Sequence, residues 1–259
     1  MPYQFITVDR DGPVTVITLT RPEVLNALHS PMHFEMDAAL NAFAADREQW
    51  VGIITGAGER AFSAGNDLKW QAGGGEMRAP ASGFGGLTAR FDLGKPLIAA
   101  VNGVAMGGGF EIALACDLIV AAESAVFALP EPRVGLAALA GGLHRLPRAI
   151  GVKRAMGMIL TGRRVGAAEG HDLGFVNEVA PGELMVAARR WAAEICECGP
   201  LSIRASKAAV MRGLDEPTLE AALKGQRHYN AVAALFGSED FVEGPRAFAE
   251  RRAPGWKGR

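Results

Sequence analysis

Apolar and polar positions along this chain follow two alternating rhythms. Val14-Thr15-Val16-Ile17-Thr18-Leu19 is β-branched, lies between Asp11-Gly12-Pro13 and Arg21-Pro22, and reads as a strand. Ser30-Pro31 then offers a helix cap followed by a proline at the first helical position. Met32, Met36, Ala39, Leu40 and Phe43 recur at helical spacing, which predicts one buried helix face. Residues 51–55 read as a buried strand and residues 56–60 as a glycine turn. The pattern then repeats in kind. Residues 97–101 form a strand, Gly107-Gly108-Gly109 breaks the chain, residues 110–116 read as a helix, and residues 118–121 and 126–129 as two short strands. Strands alternating with helices predict an α/β architecture with at least one partly parallel sheet. No internal sequence repeat is evident.

Two stretches stand apart. Residues 73–86 are glycine-rich with little periodicity, the composition of a long loop or mobile lid. From about Glu183 the chain turns helical. Met185, Ala188, Trp191, Ala192 and Ile195 mark one apolar face, and Leu219, Leu223, Tyr229 and Leu235 continue the pattern in later helices. The expected division is a core over residues 1–195 and a helical segment over 196–259, suited to capping or oligomerisation.

Composition narrows the class. With 259 residues, about half of them apolar, the chain is long enough for an ordinary globular core. Its 27 basic and 28 acidic side chains nearly cancel, so no long-range attraction for nucleic acid or an anionic membrane is expected. The longest apolar stretch, residues 112–122, is interrupted by Asp117 and is too short to span a bilayer. Met1-Pro2-Tyr3-Gln4-Phe5 lacks a basic patch followed by an apolar run, so no signal peptide is expected. Three cysteines make no disulfide framework: Cys116 reads as a small core residue, and Cys196 and Cys198 lack the second pair a zinc site needs. A reducing cytoplasm is the simplest compartment. His29 and His33 have the spacing of a metal pair but lack the adjoining glutamate, so no metal is expected. His144 reads as a surface residue.

Three places invite a chemical reading, and each also has a plain one. Phe62-Ser63-Ala64-Gly65-Asn66-Asp67-Leu68 combines small residues, which let a ligand approach the backbone, with Asn66 or Asp67 as a cap for a following helix; a turn plus cap explains it equally. Gly107-Gly108-Gly109-Phe110-Glu111 enters a helix and exposes N–H groups without intrahelical partners, an anion-attracting arrangement. It lacks the Gly-Lys-Ser/Thr ending of a phosphate loop and the spacing of a dinucleotide fingerprint. Glu111 could also simply complement the helix dipole. Pro130-Glu131-Pro132 fixes the backbone around a carboxylate that could equally be solvated.

Taken in order, these motifs resemble the enoyl-CoA hydratase/isomerase (crotonase) superfamily. The likeness runs through Arg21-Pro22 and Leu25-Asn26-Ala27-Leu28, the segment from Phe62 to Leu68, Lys95-Pro96 and Ala100-Val101-Asn102-Gly103. It continues through Gly107 to Glu111, Asp117, Pro130-Glu131, Gly135-Leu136 and Leu160-Thr161-Gly162. Within the superfamily the chain is most similar to carnitinyl-CoA dehydratases, on Phe127-Ala128-Leu129-Pro130-Glu131, Leu143-His144-Arg145-Leu146-Pro147 and the segment from Ser238 to Arg259.

The resemblance implies a spiral of repeated ββα units with a helical carboxy-terminal segment, assembled as a homotrimer or a hexamer of stacked trimers. It implies reversible syn addition of water to a 2-enoyl-CoA thioester. The backbone N–H groups of Asn66 and Gly108 would form an oxyanion hole, Glu111 would activate the water and Glu131 would exchange the α proton. Val24 and Leu25 would line the pantetheine path, and Ala64, Gly65, Asn66, Asp67 and Leu68 would offer backbone groups to the adenine. Phe248 and Arg251 would reach the nucleotide from a neighbouring region. No cofactor is implied beyond the coenzyme A of the acyl-CoA substrate. The alternatives are an isomerase using Glu131 as its single acid/base and a non-catalytic acyl-CoA binder.

One stretch departs from the family pattern. After Gly135-Leu136 the usual proline and polar residue are replaced in Ala137-Ala138-Leu139-Ala140-Gly141-Gly142, making the acyl pocket wall more apolar. A quaternary ammonium substrate needs aromatic faces or a carboxylate, and Trp70, Phe84 and Phe91 are the candidates for the former.

Overall fold

Strands whose side chains are apolar on both faces must be covered on both, and that requirement organises this molecule. The computed structural model describes residues 3–259; Met1 and Pro2, the start of the stretch read above for a leader, lie outside the described residues. In chain order the first half comprises β1 (Ile6–Asp11), β2 (Val14–Leu19), α1 (Ser30–Ala45), β3 (Val51–Gly56), β4 (Ala61–Ser63), α2 (Leu68–Ala72), β5 (Leu97–Val101), β6 (Val104–Met106), α3 (Gly108–Ala115), β7 (Leu118–Ala122) and β8 (Val126–Ala128). The second half comprises α4 (Gly142–Ile150), α5 (Val152–Thr161), β9 (Val165–Gly166), α6 (Ala167–Leu173), β10 (Glu178–Ala180), α7 (Leu184–Cys196), α8 (Pro200–Gly213), α9 (Leu219–Gly225), α10 (Asn230–Phe236) and α11 (Glu239–Glu250).

Six strands form one sheet in the order β1-β2-β3-β5-β7-β10, and four form a second in the order β4-β6-β8-β9. All pairs in the larger sheet are parallel except β1 with β2. Successive strands alternate between the sheets: β3 then β4 then α2, β5 then β6 then α3, β7 then β8 then α4. This is the expected spiral of ββα units, a structural repeat that no sequence repeat announces.

The period of two along each strand sends neighbouring side chains to opposite cores. Ile54, Leu97, Ala99 and Val101 join Met32, Met36, Leu40, Phe43, Phe62 and Phe110 in the larger cluster. Ile53, Ile98 and Ala100 face the other way and are covered by Ala188 and Ala192 of α7. The apolar faces read for α1 and α7 are thus the buried ones. Lys95 donates to the carbonyls of Phe43 (2.6 Å) and Asp46 (2.5 Å), closing the end of α1, and burial lowers its pKa to about 8.

One expectation changes. Ser30 is not the cap of α1: His29 precedes the helix, while the Ser30 hydroxyl donates to the Glu76 carbonyl and accepts from the Arg78 N–H. The glycine-rich stretch ends in a fastened turn at Phe84–Gly86, where Gly85 and Gly86 are buried. Leu219 and Leu223 are exposed within the chain. α8 is nonetheless tied to the core, with Lys207 donating to Asp117 (2.7 Å) and to the Lys95 carbonyl (3.0 Å). Among the described residues, no helix is long and apolar enough to cross a membrane.

Asn26 positions the loops that lead to the site. It is fully buried with φ of 52°, its Oδ1 accepts from Arg21 N–H (3.0 Å), and its Nδ2 donates to the carbonyls of Ala57 (3.0 Å) and Ala61 (2.8 Å). Asn26→Ala would orphan these groups and place a Cβ residue without Asn's local bonding in the left-handed region. We expect a loss of about 2–4 kcal/mol in urea unfolding.

Candidate active site

The centre is a helix that starts inside the protein. β6 ends at Met106, Gly107 turns the chain at φ of 52° while its N–H donates to the Ala128 carbonyl (3.0 Å), and α3 begins at Gly108. A side chain at Gly107 would bring its Cβ to 2.7 Å from Glu131 Oε1, so the bare glycine is what admits that carboxyl. Glu111 follows in the first turn of α3.

The segment after β4 lies against this helix start. A Cβ on Gly65 would approach the Gly108 nitrogen to 2.9 Å, so only glycine permits this proximity. Leu25 accepts from Ala64 N–H (2.9 Å), Leu28 donates to the Gly65 carbonyl (2.7 Å), and Asp67 N–H donates to the Leu28 carbonyl (2.8 Å). Gly65 N–H goes to Ser63 Oγ and Leu68 N–H to the Asn66 carbonyl. Of the five N–H groups in residues 64–68, Asn66 alone donates to no acceptor among the described residues. Gly108 N–H is in the same condition, as expected for a first helical residue. Two unspent donors therefore stand at adjoining backbones.

Asp67 is occupied structurally. It caps α2 by accepting from Trp70 N–H (3.0 Å) and pairs with Arg21 at 2.9 Å. Burial alone would raise its pKa, but these two partners outweigh burial and leave it lowered.

The two glutamates are held differently. Glu111 is 3% exposed and its Oε1 accepts from Gly142 N–H at 2.8 Å. Burial, reinforced by the charge of Glu131, pushes its pKa up to about 7 despite that bond. Glu131 sits at the start of a short helical turn with Oε2 buried and unpartnered, and burial raises its pKa too. Carboxyls whose pKa burial has raised, beside unpaired N–H donors, can exchange protons with a bound molecule while its developing oxyanion is stabilised.

A wall closes over the helix start. The ring of Phe84 occupies the space a side chain on Gly108 would need. His33 Nδ1 accepts from Gly85 N–H (2.9 Å), burial holds its pKa down to about 4, and its ring meets Phe84 edge-on at 4.4 Å. That nitrogen is therefore spent on the backbone. Among the described residues, no three His, Cys, Asp or Glu side chains gather as a metal site would require. Trp70 packs edge-on against His29, and Phe91, 87% exposed, has the Arg145 guanidinium 5.9 Å from its ring centre. His144 is exposed.

Leu25, Ala64, Gly65, Asn66, Asp67, Gly108, Glu111 and Glu131 are thus brought into one neighbourhood, with Val24 preceding Leu25 in a short turn and Leu68 opening α2. Phe248 and Arg251 are not joined to it: both are exposed at the end of α11, and no hydrogen bond or ion pair of the Arg251 side chain is formed among the described residues. Gly142 escaped the sequence reading. Its signal was the glycine pair before a helix, noted as a wall but not as a donor.

Comparison with known proteins adds four findings. The family described as enoyl-CoA hydratase/isomerase matches residues 9–259. A carnitinyl-CoA dehydratase of Salmonella typhi is 47% identical over 96% of this chain and 97% of its own length. Among solved structures, an enoyl-CoA hydratase of Mycobacterium tuberculosis H37Rv superposes with a TM-score of 0.92 at 38% identity, covering 98% of this chain and 99% of the other. A carnitinyl-CoA hydratase of Mycobacterium avium gives 0.78 at 41% identity, covering 99% of each.

The raised pKa of Glu111 has a consequence for stability. Above its unfolded value of 4.5 the folded chain holds a proton the unfolded chain has lost, so stability falls as pH rises from 4.5 toward 7. In Glu111→Gln the amide oxygen can still accept from Gly142, and no charge is buried. Its melting temperature should exceed that of the wild type at pH 8, with the gap closing by about pH 5, as thermal unfolding across pH would reveal.

Proposed function

This chain belongs to the enoyl-CoA hydratase/isomerase family, and from that premise we propose that it is a hydro-lyase adding water reversibly to 2-enoyl-CoA thioesters. The observation that carries this reading is the pair of raised-pKa carboxyls flanking a helix start with unspent N–H donors. The thioester oxygen accepts from Asn66 and Gly108 N–H, which stabilises the enolate. One such donor is worth about 3 kcal/mol in enzymes of this type of chemistry. Ionised Glu111 takes a proton from water as its oxygen joins the β carbon, and protonated Glu131 delivers a proton to the α carbon on the same face. Dehydration runs these steps backwards. An isomerase needs one acid/base; the retention of a second, clamped by Gly142, favours hydration.

Val24 and Leu25 line the path of the pantetheine arm, and the backbone of Ala64, Gly65, Asn66, Asp67 and Leu68 meets the adenine. Phe248 and Arg251, unattached within one chain, suit a nucleotide bound from a neighbouring subunit. The exposed Leu219, Leu223, Phe236 and Phe241 of the last helices favour a homotrimer or a hexamer of trimers. Three unpaired cysteines suit a reducing cytoplasm.

The carnitinyl-CoA dehydratase relatives support a second reading, in which the acyl group carries a trimethylammonium. Two substrates separate them. Crotonyl-CoA should lose its conjugated enoyl absorbance and yield a 3-hydroxyacyl product by mass. Turnover of crotonobetainyl-CoA alone would favour the carnitine reading, and turnover of neither would sink the proposal.

Glu111→Gln and Glu131→Gln should each lower kcat by about 10²–10⁴-fold. Because Glu111 must be ionised to act as the base, kcat/KM should fall as pH drops through about 7. Light scattering should return three or six times the chain mass; a monomer would contradict the assembly.

A further inference from the structure

One side chain joins the wall that carries Phe84 to the helix that clamps Glu111. Arg145 lies in the first turns of α4, and its guanidinium folds back over Gly141, where φ of 106° and the missing Cβ leave the space that Nη1 fills. Its Nη2 donates to the Thr88 carbonyl at 2.9 Å, and its charged end lies 5.9 Å from the ring centre of Phe91. Thr88 is buried and follows the Phe84 turn directly, its own N–H donating to the Phe84 carbonyl (3.2 Å). Gly142, next to the glycine that Arg145 covers, donates to Glu111.

The charges converge on the same point. Glu111 is faced by Glu131 from the turn after β8 and by Arg145 from α4. Arg145 is faced by Glu111 and Cys116 from α3 and by Arg148 on its own helix. Among the described residues, Arg145 is thus the cation set against a carboxyl that burial and Glu131 both push toward its neutral form.

We propose that Arg145 is a positioning residue for hydration. It locks the Gly141-Gly142 turn to the Thr88 segment, keeps the Gly142 clamp on Glu111 closed, and places a positive charge against ionised Glu111. The proposal rests on the reading of Glu111 as the base.

The test compares wild type, Arg145→Gln and Arg145→Lys by pH profiles of kcat/KM with crotonyl-CoA, alongside melting temperature. Arg145→Gln should move the acid limb upward by about one pH unit and lower kcat roughly tenfold or more at pH 7. Arg145→Lys, which restores the charge without the planar fork, should return the limb toward its wild-type position while leaving kcat reduced. An unmoved limb in a folded Arg145→Gln enzyme would overturn the proposal, as would equal displacement in both variants. Should Arg145→Gln fail to fold, Arg145→Lys decides alone: an unmoved limb with lowered kcat supports the proposal, and wild-type kcat overturns it. A wild-type enzyme active only on crotonobetainyl-CoA would have its profiles measured with that substrate, and one inactive on both would remove the hydratase reading, and this proposal with it; active wild type silenced by Glu111→Gln keeps that reading whatever Arg145 does.

Discussion

Everything else in this structure is arranged around a helix whose first amide groups have no partner in a place with little water. The initial N–H groups of an α-helix are left over by its own geometry, and burying a polar group unpaired costs on the order of 1–3 kcal/mol. A protein normally satisfies them with a cap. Here the residue before α3 is Gly107, which has no side chain to offer, and the neighbouring Gly65 brings a second backbone close instead of a capping oxygen. Unspent donors of this kind are what the proposed oxyanion site requires. The alternation of strands between two sheets is what makes this geometry available, because it returns the chain to the interior at each change of sheet.

The same helix start decides the electrostatics, though not in the direction its dipole suggests. A carboxylate in a first helical turn gains about 0.3–1 kcal/mol from the macrodipole, which would lower its pKa. Glu111 has the opposite shift, from 4.5 to about 7. At about 1.4 kcal/mol per pH unit this is on the order of 3 kcal/mol, so desolvation wins over the dipole and over the Gly142 bond together. Glu111, 3% exposed and held by Gly142, therefore does more than complement the dipole of its helix. Glu131 moves the same way through burial, and two carboxyls both shifted upward can divide the giving and taking of a proton between them.

Much of the fold was legible because its signals are local. The β-branched run of β2, the apolar runs of β3 and β5, and the helical spacing of Met32, Met36 and Phe43 each state an element without reference to the rest of the chain. The failures are where a residue's partner is distant. Ser30 has the chemistry of a cap, yet its hydroxyl serves a loop more than forty positions away. Apolar spacing at Leu219 and Leu223 marks a helix face without saying what covers it, and within the chain both are exposed. Gly142 and Arg145 act through contacts with Glu111 and Thr88 that span 31 and 57 positions, and the local glycine pair before α4 does not reveal those partners. The glutamates became legible only as an ordered set of motifs, since each alone had an adequate plain explanation.

Each of the three rings named above as a candidate face for a quaternary ammonium already has a partner. A quaternary ammonium is held by open aromatic faces, and three rings are candidates here. Phe84 is pressed against Gly108 and meets His33, so its position is committed to the wall of the helix start. Trp70 is engaged edge-on with His29. Phe91 is exposed, but a guanidinium already lies near its ring, and a second cation there would be repelled by the first. The Ala137-Ala138-Leu139-Ala140 run adds no carboxylate, with Ala138 buried and Leu139 projecting into solvent. A trimethylammonium would need a ring freed from one of these engagements, whereas an apolar acyl tail needs none. Within one chain, then, each of the three rings is already engaged.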